Sequence, residues 1–276
     1  MRLLVLGASG IVGRAMVAEA GARGWPVVGL TRAALARLAP ELVVNAAAFT
    51  HVDRCESEPE RAFAVNGAAV GALAAECARA GARLVHLSTD YVFAGDADRP
   101  YREGDPTGPR SVYGASKLEG ERQALAVADA LVVRTSWVFG AGGANFVDTI
   151  AGRLRRREGP LRVVADQVGG PTYAPFLAKA LADLGESEAA GVVHYQNREP
   201  VSWFQFARAI AAAIDPEADP DRDPERRIEP ATSAEVVRPA RRPAWSVLDV
   251  ARFEALVGRP VERWRDGLVL HLARES

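Results

Sequence analysis

Leu3-Leu4-Val5-Leu6-Gly7-Ala8-Ser9-Gly10-Ile11-Val12-Gly13 is an apolar run that passes at once into a glycine-rich turn, with a helical stretch over residues 14–22 behind it. An unbroken apolar run suits a parallel strand buried on both faces. A glycine-rich turn between strand and helix lets backbone N–H groups and the helix dipole meet a pyrophosphate. The spacing is G-x-x-G-x-x-G rather than the commoner G-x-G-x-x-G, and similar turns occur in βα units that bind nothing. Its place in the first βα turn favours the cofactor reading.

The same alternation continues along the chain. Apolar segments begin at Val27, Leu42, Arg83 and Leu131, the last read as a sixth strand, and helical stretches separate them. Residues 56–81 read as one long helix with Ser57 as N-cap and Pro59 in its first turn. Strand and helix in alternation predict an α/β fold, a doubly wound parallel sheet of Rossmann type. After Phe139 the texture changes to a smaller α+β region. It has helices at 145–157, 171–184 and 202–214, the last capped by Ser202, and strands at Leu161 and Val192. The expected division is a dinucleotide-binding unit over 1–140, with 165–190 packing back on it, and a mainly substrate-binding region over 141–276. Residues 215–227, charged and proline-rich, read as an exposed excursion.

Composition narrows the function. A net charge of −1 argues against nucleic acid as a partner. Cys55 and Cys77 have no metal-like spacing, and His51, His86, His194 and His271 are dispersed, so no metal site is expected. There is no leader-like start and no apolar run of membrane-spanning length, so a cytoplasmic protein without a membrane partner is expected.

Tyr113 and Lys117 in Ser111-Val112-Tyr113-Gly114-Ala115-Ser116-Lys117 stand four residues apart and share one helix face. The chain holds 34 Lys plus Arg, yet only two are lysine, Lys117 and Lys179, so a lysine has been kept here against a strong arginine bias. Lysine is a compact, tunable point charge where arginine is a fixed fork. A phenol beside such a cation becomes usable in proton transfer, although an ordinary surface pair has the same spacing. Thr31-Arg32 follows the second strand, where an acidic residue would favour NAD. Arg32 suits a 2′-phosphate, or is one more solvated arginine. Ala46-Ala47-Ala48 after Asn45 leave room for a flat ligand or for helix packing. Ser88-Thr89-Asp90 place polar groups at the carboxyl end of a central strand, where open α/β sheets bind ligands.

Several motifs occur together in order. They are the turn at 7–13, Asn45-Ala46-Ala47-Ala48 with Val52-Asp53 and Glu56-Ser57-Glu58-Pro59-Glu60, and Ser88-Thr89-Asp90-Tyr91-Val92-Phe93. Tyr113 with Lys117, Arg134-Thr135-Ser136-Trp137-Val138-Phe139, Asn145-Phe146, Asp166-Gln167 and Ser202-Trp203 complete the set. In these the chain resembles the dTDP-4-dehydrorhamnose reductase family of the extended short-chain dehydrogenases/reductases, over nearly its whole length. The resemblance implies NADPH- or NADH-dependent reduction of the C4 keto group of a nucleotide-linked 4-keto-6-deoxy sugar, dTDP-4-dehydro-L-rhamnose to dTDP-L-rhamnose, in polysaccharide synthesis. It implies Tyr113 as general acid, Lys117 as the group that holds the nicotinamide ribose and lowers the tyrosine pKa, and Thr89 as a hydrogen-bond donor to the keto oxygen. It implies a cofactor cradle of Gly7, Ser9, Gly10, Ile11, Val12 and Gly13, with Arg32 at the adenosine ribose and Ala46, Ala47, Ala48 and Thr50 lining the other side. Asp90, Trp137, Asn145 and Gln167 become substrate contacts, although Trp137 also reads as core and Asn145 as a helix N-cap. A homodimer is compatible with the same family.

One departure stands out. The family carries a longer connection between the second strand and the Asn45 strand, including an Asp-rich piece beside the adenine; here only residues 33–41 bridge it, leaving NADPH against NADH open. Related extended-type nucleotide-sugar reductases or epimerases are alternatives. So is a non-catalytic regulatory subunit resembling the methionine adenosyltransferase β-subunit.

Overall fold

In a computed structural model, residues 1–29, 39–215 and 228–274 are described. Thr31, Arg32 and most of the short bridge lie outside the described residues, as does the excursion from 216 onward. The fold starts at β1 (Leu3–Leu6), buried as its apolar run requires, and α1 (Ile11–Ala22). β2 (Val27–Gly29) and β3 (Leu42–Asn45) follow. The stretch read as one helix is broken into α2 (Val52–Ser57), α3 (Pro59–Phe63), a π-helical turn Ala64–Ala68 and α4 (Ala69–Ala80). Pro59 is the reason for the first break. It disfavours helical backbone at Glu58, whose φ of −127° and ψ of 53° end one helix and begin the next. Ser57 therefore closes α2 and caps nothing; its hydroxyl returns to the Arg54 carbonyl.

β4 (Arg83–Thr89), α5 (Val112–Leu125) and β5 (Leu131–Thr135) complete the first half. Among the described residues β5 is the fifth strand in chain order, not the sixth. Ser88-Thr89 simply prolong β4, and Asp90–Val92 turn off as a 3₁₀ segment. β6 (Val138–Phe139), α6 (Phe146–Arg155), β7 (Leu161–Val164), β8 (Val168–Gly169), β9 (Thr172–Tyr173) and α7 (Ala174–Glu186) come next. The expected start of α7 at Pro171 moves to Ala174 because Thr172-Tyr173 pair with β6. The chain ends with β10 (Gly191–His194), β11 (Val201–Ser202), α8 (Trp203–Ile214), β12 (Ile228–Ala231), α9 (Ala251–Val257) and α10 (Trp264–Leu272). Ser202 caps α8 through a capping box with Gln205.

The main sheet is six-stranded and wholly parallel, in the order β10-β5-β4-β3-β1-β2. The chain leaves β1 toward β2 and then crosses to β3 on the other side, so a crevice opens between the carboxyl ends of β1 and β3. Leu3, Val5, Leu42, Val44, Val85 and Val133 face α1 and α7, which contribute Met16, Ala20, Leu177, Leu181 and Leu184. Leu4, Val43, Leu84 and Val132 face α4 and α5 on the opposite side, against Val70, Leu73, Cys77 and Ala124. A second core joins Phe139, Ile150, Leu154, Leu161, Phe206 and Trp264. Among the described residues, no helix is long and apolar enough to cross a membrane.

Candidate active site

A cavity of about 870 Å³ opens at the β1/β3 crevice and runs to the ends of β4 and β5. Gly7, Ser9, Gly10, Ile11, Val12 and Gly13 line one end. Gly7 has φ of +79°, and a β-carbon on it would sit 2.8 Å from the Ala47 nitrogen. Only glycine allows the left-handed turn and the close approach of the two strand ends together. Gly10 precedes α1 without a side-chain cap, so the N–H groups of the first helical turn are left for an anionic group.

Ala46, Ala47, Ala48 and Thr50 line the cavity beside this turn. Their position is fixed by buried amides. Asn45 donates through Nδ2 to His86 Nδ1 at 3.1 Å and accepts from the Ala47 N–H at 3.2 Å. Burial holds His86 well below the ordinary imidazole pKa, so it stays a neutral acceptor at that nitrogen. Asn66, on the π-helical turn, accepts from the Phe49 N–H at 2.8 Å and donates to the Phe49 carbonyl at 3.1 Å and to Ser116 Oγ at 3.0 Å. The irregular turn thus ties the Ala46–Thr50 loop to α5, a use to which π-bulges are often put.

α5 begins at Ser111, whose hydroxyl accepts from the Gly114 N–H, while Glu56 accepts from the Val112 N–H at 2.8 Å. Gly114 lets the helix lie against β4's end, since a β-carbon there would be 2.2 Å from the Tyr91 carbonyl oxygen. Tyr113 is thereby brought to Thr89, with which its phenol is hydrogen-bonded, and its ring meets Tyr91 edge-on at 5.7 Å. Thr89 Oγ1 donates to Asp90 Oδ1 at 3.0 Å. One turn along, Lys117 Nζ donates to the Leu87 carbonyl at 2.6 Å.

The electrostatics differ from the sequence expectation at one point. Burial pushes the Tyr113 phenol above its ordinary 10.0, and the hydrogen bond with Thr89 offsets only part of that rise. The Lys117 ammonium donates to the Leu87 carbonyl, a neutral partner that leaves its charge in place. Burial brings Lys117 itself from 10.5 down to about 8, against a smaller opposing pull from Glu121. Burial likewise raises Asp90 from 3.8 to about 6. At neutral pH the site therefore holds a protonated phenol beside an ammonium.

Thr89, Asp90, Tyr113, Lys117 and Trp137 all line the cavity, together with the cradle residues. Asn145 and Gln167 are not among the lining residues. Asn145 caps α6, accepting from the Asp148 N–H at 3.1 Å and donating to the carbonyls of Gly140 and Gly143. Gln167 donates to Ser233 Oγ at 2.8 Å. Arg32 lies outside the described residues. Sequence reasoning missed His51, Tyr91, Thr135, Ser136 and Trp203, which also line the cavity. For Thr135 and Ser136 the signal was their place at the carboxyl end of β5; for Trp203 it was a tryptophan directly after a helix cap.

A family model described as the RmlD substrate binding domain matches residues 1–276. A dTDP-4-dehydrorhamnose reductase of Streptomyces griseus is 43% identical over 290 residues, covering 97% of this chain and 91% of the relative. Two solved structures share the fold with a TM-score of 0.91. One is a dTDP-4-dehydrorhamnose reductase from Clostridium acetobutylicum, 31% identical, covering 100% of this chain and 99% of that one. The other is a dTDP-4-dehydrorhamnose reductase from Bacillus anthracis in complex with NADP, 29% identical, covering 99% of each chain.

Proposed function

The chain belongs to the RmlD substrate-binding-domain family, and from that premise we propose that it reduces the C4 keto group of dTDP-4-dehydro-L-rhamnose to give dTDP-L-rhamnose. NADPH is the proposed donor, with NADH as the alternative. The observation that carries this reading is one cavity holding a glycine cradle, Thr89, Tyr113 and Lys117 together. The residues present fit a dinucleotide: the Gly7 turn leaves no room for a side chain, and the uncapped start of α1 offers N–H groups to a pyrophosphate. The bound cofactor supplies hydride to C4. Thr89 hydrogen-bonds the keto oxygen and orients it. Tyr113 gives its phenolic proton to that oxygen, which burial favours by keeping the phenol neutral until the proton is needed. Lys117, anchored on Leu87, holds the nicotinamide ribose and steadies the negative charge left on Tyr113.

In this reading residues 1–140 carry the cofactor and 141–276 mainly the sugar nucleotide, with Asp90 and Trp137 touching the latter. The protein works in the cytoplasm without nucleic acid or membrane partners, and a homodimer is the assembly to look for.

The test is loss of reduced-nicotinamide absorbance on mixing the protein, NADPH and the 4-keto sugar nucleotide, with NADH in a parallel run. Turnover that yields the 4-hydroxy sugar is expected. Tight NADPH binding with no turnover on any nucleotide-linked keto sugar would instead point to a regulatory subunit.

A further inference from the structure

Trp137 has φ of +45°, a left-handed backbone conformation that a bulky side chain keeps only where its surroundings impose it. Its indole lies on Gly169, where a β-carbon would be 2.6 Å from the ring. Trp203, the first residue of α8, stacks on the same indole with centroids 3.5 Å apart and planes 8° from parallel. Aromatic pairs left to themselves prefer offset or edge-on contact, so a nearly eclipsed sandwich is a product of packing. Phe146 backs the pair, 4.6 Å from the Trp203 centroid. Both indoles line the cavity that holds Tyr113.

Thr89, Asp90 and the two tyrosines offer hydroxyl and carboxyl groups to a sugar, whereas the stacked indoles offer it an apolar plane. On a 4-keto-6-deoxy sugar the apolar part is the C6 methyl group, borne on the carbon next to the reacting C4. We infer that Trp203 is a positioning residue that holds the Trp137 indole as the wall for this methyl group, and so makes the site prefer 6-deoxy sugars, which rests on the reductase reading. Trp203 need not touch the substrate to do this. It keeps Trp137 in a conformation that Trp137 would otherwise leave.

The experiment is calorimetric titration of wild type, Trp203→Phe, Trp203→Ala and Trp203→Leu with dTDP-L-rhamnose and, separately, with dTDP. Near-UV circular dichroism of the tryptophan bands should change in every variant while the far-UV spectrum holds, which shows the stack lost and the fold kept. Loss of the stack should weaken dTDP-L-rhamnose binding to Trp203→Ala and Trp203→Leu by roughly two- to tenfold, the range of one aromatic pair. Binding of dTDP should be unchanged, because the wall meets the sugar. Trp203→Phe should recover most of the loss. In turnover, the two damaged variants should show the change in KM for the sugar nucleotide while kcat holds. Equal weakening for dTDP and dTDP-L-rhamnose, or full dTDP-L-rhamnose affinity in Trp203→Ala and Trp203→Leu, overturns the inference and leaves the reductase reading standing. Wild-type protein that binds neither nucleotide overturns both.

Discussion

Replacing Tyr113 by phenylalanine removes one hydroxyl and little else. The ring keeps its edge-on contact with Tyr91 and its packing beside Phe49, Cys55 and Ala62. Lys117 stays on the Leu87 carbonyl, 2.6 Å away, so the cofactor side is undisturbed and NADPH affinity should be retained. Thr89 cannot take over as acid, because an aliphatic hydroxyl is a far weaker acid than a phenol. A positioned general acid contributes about 10²–10⁴ in rate, so kcat should fall by that factor, about 3–5 kcal/mol in barrier. The pH dependence tests the same assignment from another side. The profile of kcat/KM reports groups of the free enzyme. With Lys117 at about 8 and Tyr113 raised, wild-type activity should be level through neutral pH and decline above about pH 8, as the ammonium is lost before the phenol. Tyr113→Phe should show the same decline at a far lower level. Initial rates of NADPH consumption across pH, with NADPH binding followed by nicotinamide fluorescence, give both quantities. A variant that turns over at near wild-type rate would refute the role of Tyr113.

Two stability changes follow from buried charge. Asp90 titrates at about 6 in the fold against 3.8 in an open chain, so between those values the folded state binds more protons and stability falls as pH rises. Asp90→Asn removes that cost and should stabilise the protein by about 1–3 kcal/mol near pH 7.5 and not at all near pH 3.5, at the expense of activity; thermal melts showing the same change at both pH values would contradict the assignment. Arg134 and Glu121 are both buried and share two hydrogen bonds of 2.7 and 2.8 Å. Arg134→Met alone strands a buried carboxylate, costing about 3–5 kcal/mol. That corresponds to a drop in Tm of roughly 6–20 °C. Adding Glu121→Gln should restore most of it, and a double-mutant cycle with no coupling between the two sites would show that the pair is not what holds α5.

The parts of the fold that could be read from the chain were those whose cause is local. Leu3 to Gly13 showed strand, turn and helix because burial, a positive φ and a close approach each leave a residue-type mark. Tyr113 and Lys117 were visible because helical spacing fixes their common face. The π-helical turn at Ala64–Ala68 was not visible: one shifted ring of hydrogen bonds leaves no period, and its alanines and Asn66 read as ordinary helix. Asn145 satisfied two readings at once, and the cap is the one its hydrogen bonds with Asp148, Gly140 and Gly143 display. Trp203 is brought to Trp137 only when the second core assembles around Phe206 and Trp264, and no local pattern announces that contact.

Burial at α5 explains why one end of the helix can be chemical. Tyr113, Lys117 and Glu121 stand at i, i+4 and i+8, one stripe along the helix. Each meets the end of β4: Tyr113 is hydrogen-bonded with Thr89, Lys117 donates to the Leu87 carbonyl, and Glu121 accepts from Ser88 Oγ at 2.5 Å. Only the last contact is backed by a further charge, Arg134 on the neighbouring strand. The ion pair therefore serves as the fixed end of the stripe, and the two groups ahead of it are held in register on β4 without spending their own charge on structure. Lys117 keeps an ammonium whose anchor is a neutral carbonyl, so its field remains for a ligand, and Tyr113 keeps a proton whose partner is a neutral hydroxyl. Had the ion pair been placed at position 117 instead of 121, the lysine's charge would be neutralised by a neighbour and the phenol would face no cation as its proton leaves.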